Sequence, residues 1–102
     1  FFELTSLREL HFQTALLNDR GVEAIFHPDH FPALLQHERL SLHTLASQPL
    51  CLAEPTRYFR RYLDGQLRET GVLPRVIVES ASVMQLIQSA QVGLGVMVSP
   101  CG

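Results

Sequence analysis

Arg75-Val76-Ile77-Val78-Glu79, then Ser82-Val83-Met84-Gln85-Leu86-Ile87, then Gly93-Leu94-Gly95-Val96-Met97-Val98-Ser99-Pro100: this stretch decides the fold. The first run is β-branched and reads as a strand. Ser82, with Gln85 three residues on, has the form of a capping box and starts a helix. Val83, Leu86, Ile87 and Ala90 recur at helical spacing and form its buried stripe. Gly93-Leu94-Gly95 stops that helix. Val96-Met97-Val98 is the next strand, closed by Ser99-Pro100.

The same punctuation extends upstream. Pro49-Leu50-Cys51-Leu52-Ala53 is a short apolar run of the kind a buried strand shows. Glu54-Pro55-Thr56 is a strand-to-helix turn in which Thr56 has the chemistry of an N-cap. From there to Thr70 the pattern is helical, with Tyr58, Phe59, Tyr62, Leu63 and Leu67 on one face. Arg57, Arg61, Asp64 and Arg68 lie largely away from that face, and Gly71 and Pro74 end the helix. Ser41 can cap a short helix through Ala46. Pro28 and Pro32 make a loop, and Val22 to Phe26 is a short strand after the turn Asn18-Asp19-Arg20-Gly21. Leu4, Leu7, Leu10 and Phe12 fit neither a helix nor a strand, which leaves residues 1–21 without an assignment. The order is strand, short helix, strand, helix, strand, helix, strand. It predicts an α/β fold with a mostly parallel sheet flanked by helices. In such sheets ligands bind at the carboxyl ends of the strands.

The chain's 102 residues suffice for one compact domain. It is 46% hydrophobic and 18% charged, which excludes a disordered tail. The net charge of −2 gives no phosphate-neutralising surface, so direct contact with DNA is not expected of this segment. All eight basic residues are arginines, and nothing is built on that. Cys51 and Cys101 sit in or beside apolar runs and read as buried free thiols, which favours a reducing compartment and a cytoplasmic location. No apolar stretch approaches the roughly 20 residues that cross a bilayer, and Phe1-Phe2 begins no signal-peptide pattern.

From Leu40 to Pro100 these pieces resemble, in order, the effector-binding domain of LysR-type transcriptional regulators. Ser41-Leu42-His43-Thr44-Leu45-Ala46 before Pro49-Leu50-Cys51-Leu52 is similar to the family's step from short helix to Pro-Leu strand. Arg60-Arg61-Tyr62-Leu63-Asp64 and Gly71-Val72-Leu73-Pro74 resemble its next helix and exit. Val92-Gly93-Leu94-Gly95 into Val96-Met97-Val98-Ser99-Pro100 resembles its return strand. His27-Pro28-Asp29-His30 resembles a loop where the family often has His-Pro-Leu, although Phe31 here intervenes before Pro32. The resemblance implies one lobe of a periplasmic-binding-protein-like (type 2) effector domain. Residues 1–21 would be an incomplete first-lobe or hinge-proximal segment. Residues 22–102 would be the second lobe, with hinge crossings near Val22 to Phe26 and Gly95 to Ser99. It also implies a small anionic effector bound between lobes, a homo-oligomer (dimer or tetramer), and DNA binding only through a helix-turn-helix segment absent from this chain. The alternative is a lobe of a transporter's solute-binding protein, which has similar architecture.

The candidate effector contacts are Glu54, Pro55, Thr56 and Arg57 at one turn, Ser80 and Ser82 at the next, and Ser99 after the last strand. Free N–H groups at a helix start favour an anion, and the Arg57 fork suits a carboxylate. The same residues read equally as a capped helix with solvated charges, and Ser82 as a plain N-cap. Of the two serines, Ser80 reads as the one freer to reach a ligand. His27, His30, His37 and His43 lack metal-site spacing and read as surface loop histidines, so no metal is expected. Gly93-Leu94-Gly95 lies between a helix and a strand, the reverse of a dinucleotide fingerprint, so no cofactor is expected. No nucleophile or carboxylate pair stands in catalytic context, and the reading is not an enzyme.

Overall fold

A computed structural model describes residues 11–17, 21–36 and 39–100. The expectations for Leu4 to Leu10, the Asn18 to Arg20 turn, His37 and Cys101 lie outside the described residues.

The strands are β1 (Gln13–Leu17), β2 (Val22–Phe26), β3 (Arg39–Leu40), β4 (Pro49–Ala53), β5 (Arg75–Ser80) and β6 (Val96–Pro100). The helices are α1 (Leu42–Ala46), α2 (Tyr58–Arg68) and α3 (Val83–Gln91), with a 3-10 helix over Pro32–Gln36. The strands form one six-stranded sheet in the order β3-β1-β2-β6-β4-β5. β1 is parallel to β3, and β4 is parallel to both β5 and β6. β2 runs antiparallel to its two neighbours, so the sheet is mostly parallel with one reversed strand. The expected α/β class is what the chain adopts.

Two departures concern the first third. Gln13–Leu17 is a strand, although the sequence favours none there. Its burial is carried by Ala15 and Leu17, and its partners β2 and β3 come from elsewhere in the chain. Pro32–Gln36 is a 3-10 helix rather than irregular loop. Proline fits its start, where no backbone N–H is needed.

Strand alternation sends side chains to two faces. Leu17, Ala24, Phe26, Leu50, Leu52, Val96 and Val98 pack against Leu45 of α1 and Leu63 and Leu67 of α2. Ile25, Cys51 and Met97 point the other way, to Leu86, Ile87 and Ala90 of α3 and to Phe12. The stripe expected on α3 is therefore the buried one, with Val83 packed partly against it. On α2 the face differs from expectation. Arg60, Leu63 and Leu67 are buried, while Tyr58 is 89% exposed and Tyr62 is also exposed. Tyr58 opens the helix and stays outside the core.

Cys51 is a free, buried thiol, and burial pushes its pKa up to about 11. β4 passes from pairing Leu50 with Val76 to pairing Cys51 with Val78, which skips Ile77 and leaves it half-exposed on the edge strand. The return from α3 needs both of its glycines. Gly93 has φ +85°, and a Cβ there would stand 2.5 Å from the His30 ring. A Cβ on Gly95 would stand 2.8 Å from the Pro49 carbonyl oxygen, where β6 meets β4.

These contacts set opposite expectations for two glycines. Gly95→Ala forces the β4–β6 junction apart and should cost roughly 1–3 kcal/mol. Gly65→Ala, inside α2 with only the Arg68 side chain at 3.8 Å, should stabilise by roughly 0.5–1 kcal/mol. Chemical denaturation of the two variants beside the parent checks both signs.

Candidate functional site

Three parallel strands finish close together. Ala53 of β4 pairs with Ser80 of β5, and Ser99 of β6 lies two residues beyond the Cys51–Met97 pair. The chain leaves β4 toward α2 on one face of the sheet and leaves β5 toward α3 on the other. Connections that part to opposite faces open a crevice at the carboxyl ends of the strands. A cavity of about 290 Å³ lies there, between Ala53, Ser80 and Ser99, with Val83 and Leu86 of α3 and Phe59 of α2 among its walls. Arg57 supplies its one lysine- or arginine-type charge.

Of the candidate residues, Arg57, Ser80 and Ser99 line this cavity together. Glu54, Pro55, Thr56 and Ser82 are not among its lining residues. Pro55 and Thr56 are exposed in the turn. Thr56 does not cap α2. Its hydroxyl donates to Glu54 Oε1 at 3.3 Å, and Arg57 occupies the N-cap position with no side-chain cap bond. Glu54 is committed locally as well, with Arg57 Nε at 3.6 Å. That pair is largely exposed and contributes little to stability.

The second turn is fully wired. Ser82 caps α3 by accepting from Gln85 N–H at 3.3 Å. Gln85 does not reach back to the Ser82 N–H as a capping box requires. Ser80 takes that place, accepting from Ser82 N–H at 2.9 Å and donating to Gln85 Oε1 at 2.6 Å. Ser80 was expected to be the freer serine, but both bonds tie it to its own turn. Ser99 is 2% exposed, pairs directly across with Glu23 of β2, and is hydrogen-bonded to its carboxylate. Burial raises the Glu23 pKa, and the Ser99 hydroxyl partly offsets this.

Sequence reasoning missed Arg60. Its side chain is buried under the carboxyl ends of β4 and β5. Nη1 donates to the Ala53 carbonyl at 2.8 Å and to Glu79 Oε2 at 2.6 Å, and Nε donates to Asp64 Oδ1 at 2.8 Å. The available signal was spacing: Arg60 stands three and seven residues before Leu63 and Leu67. The apolar lining residues Phe59, Ala81 and Met97 were missed too, because nothing local marks a wall of a cavity.

A second hollow, of about 470 Å³, lies at the opposite end of the sheet, between His11–Gln13 and His27–Asp29. His27 there is not a surface histidine. Its side chain is 15% exposed, meets Phe12 edge-on at 6.2 Å, and accepts from Asp29 N–H at 3.2 Å. This hollow sits at the start of β1 and the end of β2, away from the ends of the parallel strands. Among the described residues no three His, Cys, Asp or Glu side chains gather as a metal site, and no helix is long and apolar enough to cross a membrane.

The comparison with protein families follows this geometry. The family model described as LysR substrate binding domain matches residues 9–101. The chain belongs to that family. Comparison with curated proteins and with solved structures gave no match. The LysR substrate-binding domain is the effector-sensing part of a family of regulators, not of enzymes. It takes a small-molecule effector. The six-stranded sheet with its flanking helices is consistent with the periplasmic-binding-protein-like (type 2) fold of the LysR domain.

Two stability measurements probe the surroundings of the cavity. Arg60→Ala removes three charge-assisted or carbonyl bonds, and the freed carboxylates are partly exposed and rehydrate. The loss should be about 1.5–3 kcal/mol, and Arg60→Lys should recover only part of it, because an ammonium lacks the planar fork. Glu23 is the second probe. A raised folded-state pKa means that its favourable contribution is complete at low pH and is lost as pH rises through that pKa. Glu23→Gln should therefore melt higher than the parent at neutral pH, and the difference should close on acidification into the ordinary glutamate range. Equal melting at neutral pH would show that burial of Glu23 has no cost.

Proposed function

We propose that this domain senses a small anionic metabolite at the carboxyl ends of β4, β5 and β6 and controls transcription through a longer LysR-type regulator. The observation that carries this reading is the mouth of the cavity. The α2 N-terminus has no capping side chain, and Arg57 stands on it. Free N–H groups and a guanidinium there favour a carboxylate. Half-buried Glu54 and exposed Thr56 border the same turn, where Glu54 would release Arg57 to a bound anion, while Ser82 fixes α3 beside it. The sheet is read as the second lobe, with hinge crossings at β2 and the end of β6 and with residues 13–17 at its hinge-proximal edge. The missing wall of the cavity belongs to the first lobe. Closure of two lobes on the effector would then shift the arrangement of a dimer or tetramer on DNA. Contact with DNA is assigned to a helix-turn-helix outside this chain, since the chain's own charge is −2. A buried free Cys51 fits a reducing cytoplasm. The family match supports this reading over a transporter's solute-binding lobe.

The test is Arg57→Ala in a regulator that carries the domain. Removing a cation from the first turn of a helix should leave the melting temperature nearly unchanged, because loss of the exposed Glu54 pair and relief at the helix dipole are each within roughly 1 kcal/mol. Effector-dependent reporter output should need roughly ten- to a hundredfold more effector, as expected for one charge-assisted hydrogen bond. Thr56→Ala should cost far less stability than the ~1 kcal/mol of a lost cap, because Thr56 caps nothing. If Arg57→Ala responds like the parent, Arg57 is a solvated surface charge and the assigned site is wrong.

A further inference from the structure

The two hydroxyls in the cavity have one proton each, and both protons are already committed. Ser80 donates to Gln85 Oε1 while the Ser82 N–H occupies one of its lone pairs. Ser99 is hydrogen-bonded to the Glu23 carboxylate that faces it across the β2–β6 pair. A carboxylate can only accept, so the proton is Ser99's. Each serine therefore offers the cavity lone pairs and no donor. The remaining walls, among them Phe59, Val83 and Met97, are apolar, and the one full positive charge is Arg57 at the α2 end. The cavity is thus polarised, with a cation on one side and, on the other, two hydroxyl acceptors, of which Ser99 is bonded to a carboxylate.

We propose that the effector is a carboxylate that also carries a hydrogen-bond donor, a protonated amine in preference to a hydroxyl, with the carboxylate at Arg57 and the donor at Ser80 and Ser99. This rests on the anion reading above and adds the second pole of the ligand. A compound with acceptors at both ends is disfavoured, because its far end would meet lone pairs with no proton between them. The Glu23 carboxylate stands across the β2–β6 pair from Ser99 and is hydrogen-bonded to it, so an ammonium is favoured there over a neutral donor.

The experiment is calorimetric titration of a regulator that carries the domain with five compounds of one carbon length: pentanoate, 2-aminopentanoate, 5-aminopentanoate, glutarate and pentylamine. At least one amino acid should bind roughly tenfold or more tightly than pentanoate, and glutarate should not exceed pentanoate. Glu23→Gln removes the charge and lets the amide donate to Ser99, so that the Ser99 proton can turn into the cavity. The amine preference should then shrink toward unity. Ser99→Ala, as a second variant, should weaken the amino acid more than pentanoate. Pentanoate or glutarate binding as tightly as the better amino acid overturns the proposal, as does a preference unchanged in both variants. The anion reading fails separately, if pentylamine matches 5-aminopentanoate and Arg57→Ala weakens neither. No binding of any compound at millimolar concentration contradicts both.

Discussion

A buried guanidinium holds the working end of this sheet together. Arg60 reaches from the first turns of α2 to the last carbonyl of β4 and to the Glu79 carboxylate near the end of β5, while Asp64 steadies it from within the helix. An arginine buried without partners would be costly, and here it is bonded to two carboxylates and a strand-end carbonyl. The consequence is geometric. The ends of β4 and β5 and the start of α2 are fixed relative to one another, so Arg57, Ala53 and Ser80 are presented as one rim. Truncating Arg60 would loosen that rim before it disturbed the apolar layers, which have their own contacts on both faces.

The cavity follows from topology more than from any residue. β4 sits between β5 and β6, and the helices that leave β4 and β5 pack on opposite faces. What the residues decide is polarity. The α3 start is tied down by Ser82, Ser80 and Gln85, which take up the Ser82 and Gln85 N–H groups. The α2 start has no such closure, and an arginine stands on it. One helix start is held by side-chain bonds and the other has none. The serines between them have turned their protons inward.

The parts of the fold legible in the sequence are those set by neighbouring residues. β5, the Ser82-capped α3, the Gly93-Gly95 return and β6 depend on β-branched content, a cap and two glycines that admit close approach, all within a few positions. Gln13–Leu17 depends on pairing with strands that come later, and two of its five residues are polar, so no local pattern announces it. Thr56 is the opposite case. It has the right chemistry for a cap, but the helix begins one residue later and its hydroxyl finds Glu54 first. Tyr58 and Tyr62 read as core because aromatics at helical spacing normally are, yet the buried row of α2 runs through Arg60, Leu63 and Leu67. Arginine hides in such a row because its burial is stable only once acceptors 7 and 19 residues away arrive. At the site, the strand-end serines and Arg57 could be picked out because open α/β sheets place ligands there. Their hydrogen-bond commitments could not, since these depend on Gln85 and on Glu23, which is distant in sequence.

The central claim is that the carboxyl ends of β4, β5 and β6, and not the larger hollow beside His27, receive the ligand's anionic group. Backbone amide chemical shifts of the chain, followed during titration with pentanoate, test it most directly. The account predicts saturable shifts concentrated at residues 57–60, 80–83 and 98–99, the start of α2, the turn into α3 and the end of β6. Shifts concentrated instead at residues 11–13 and 27–30, with the strand ends unmoved, would contradict it.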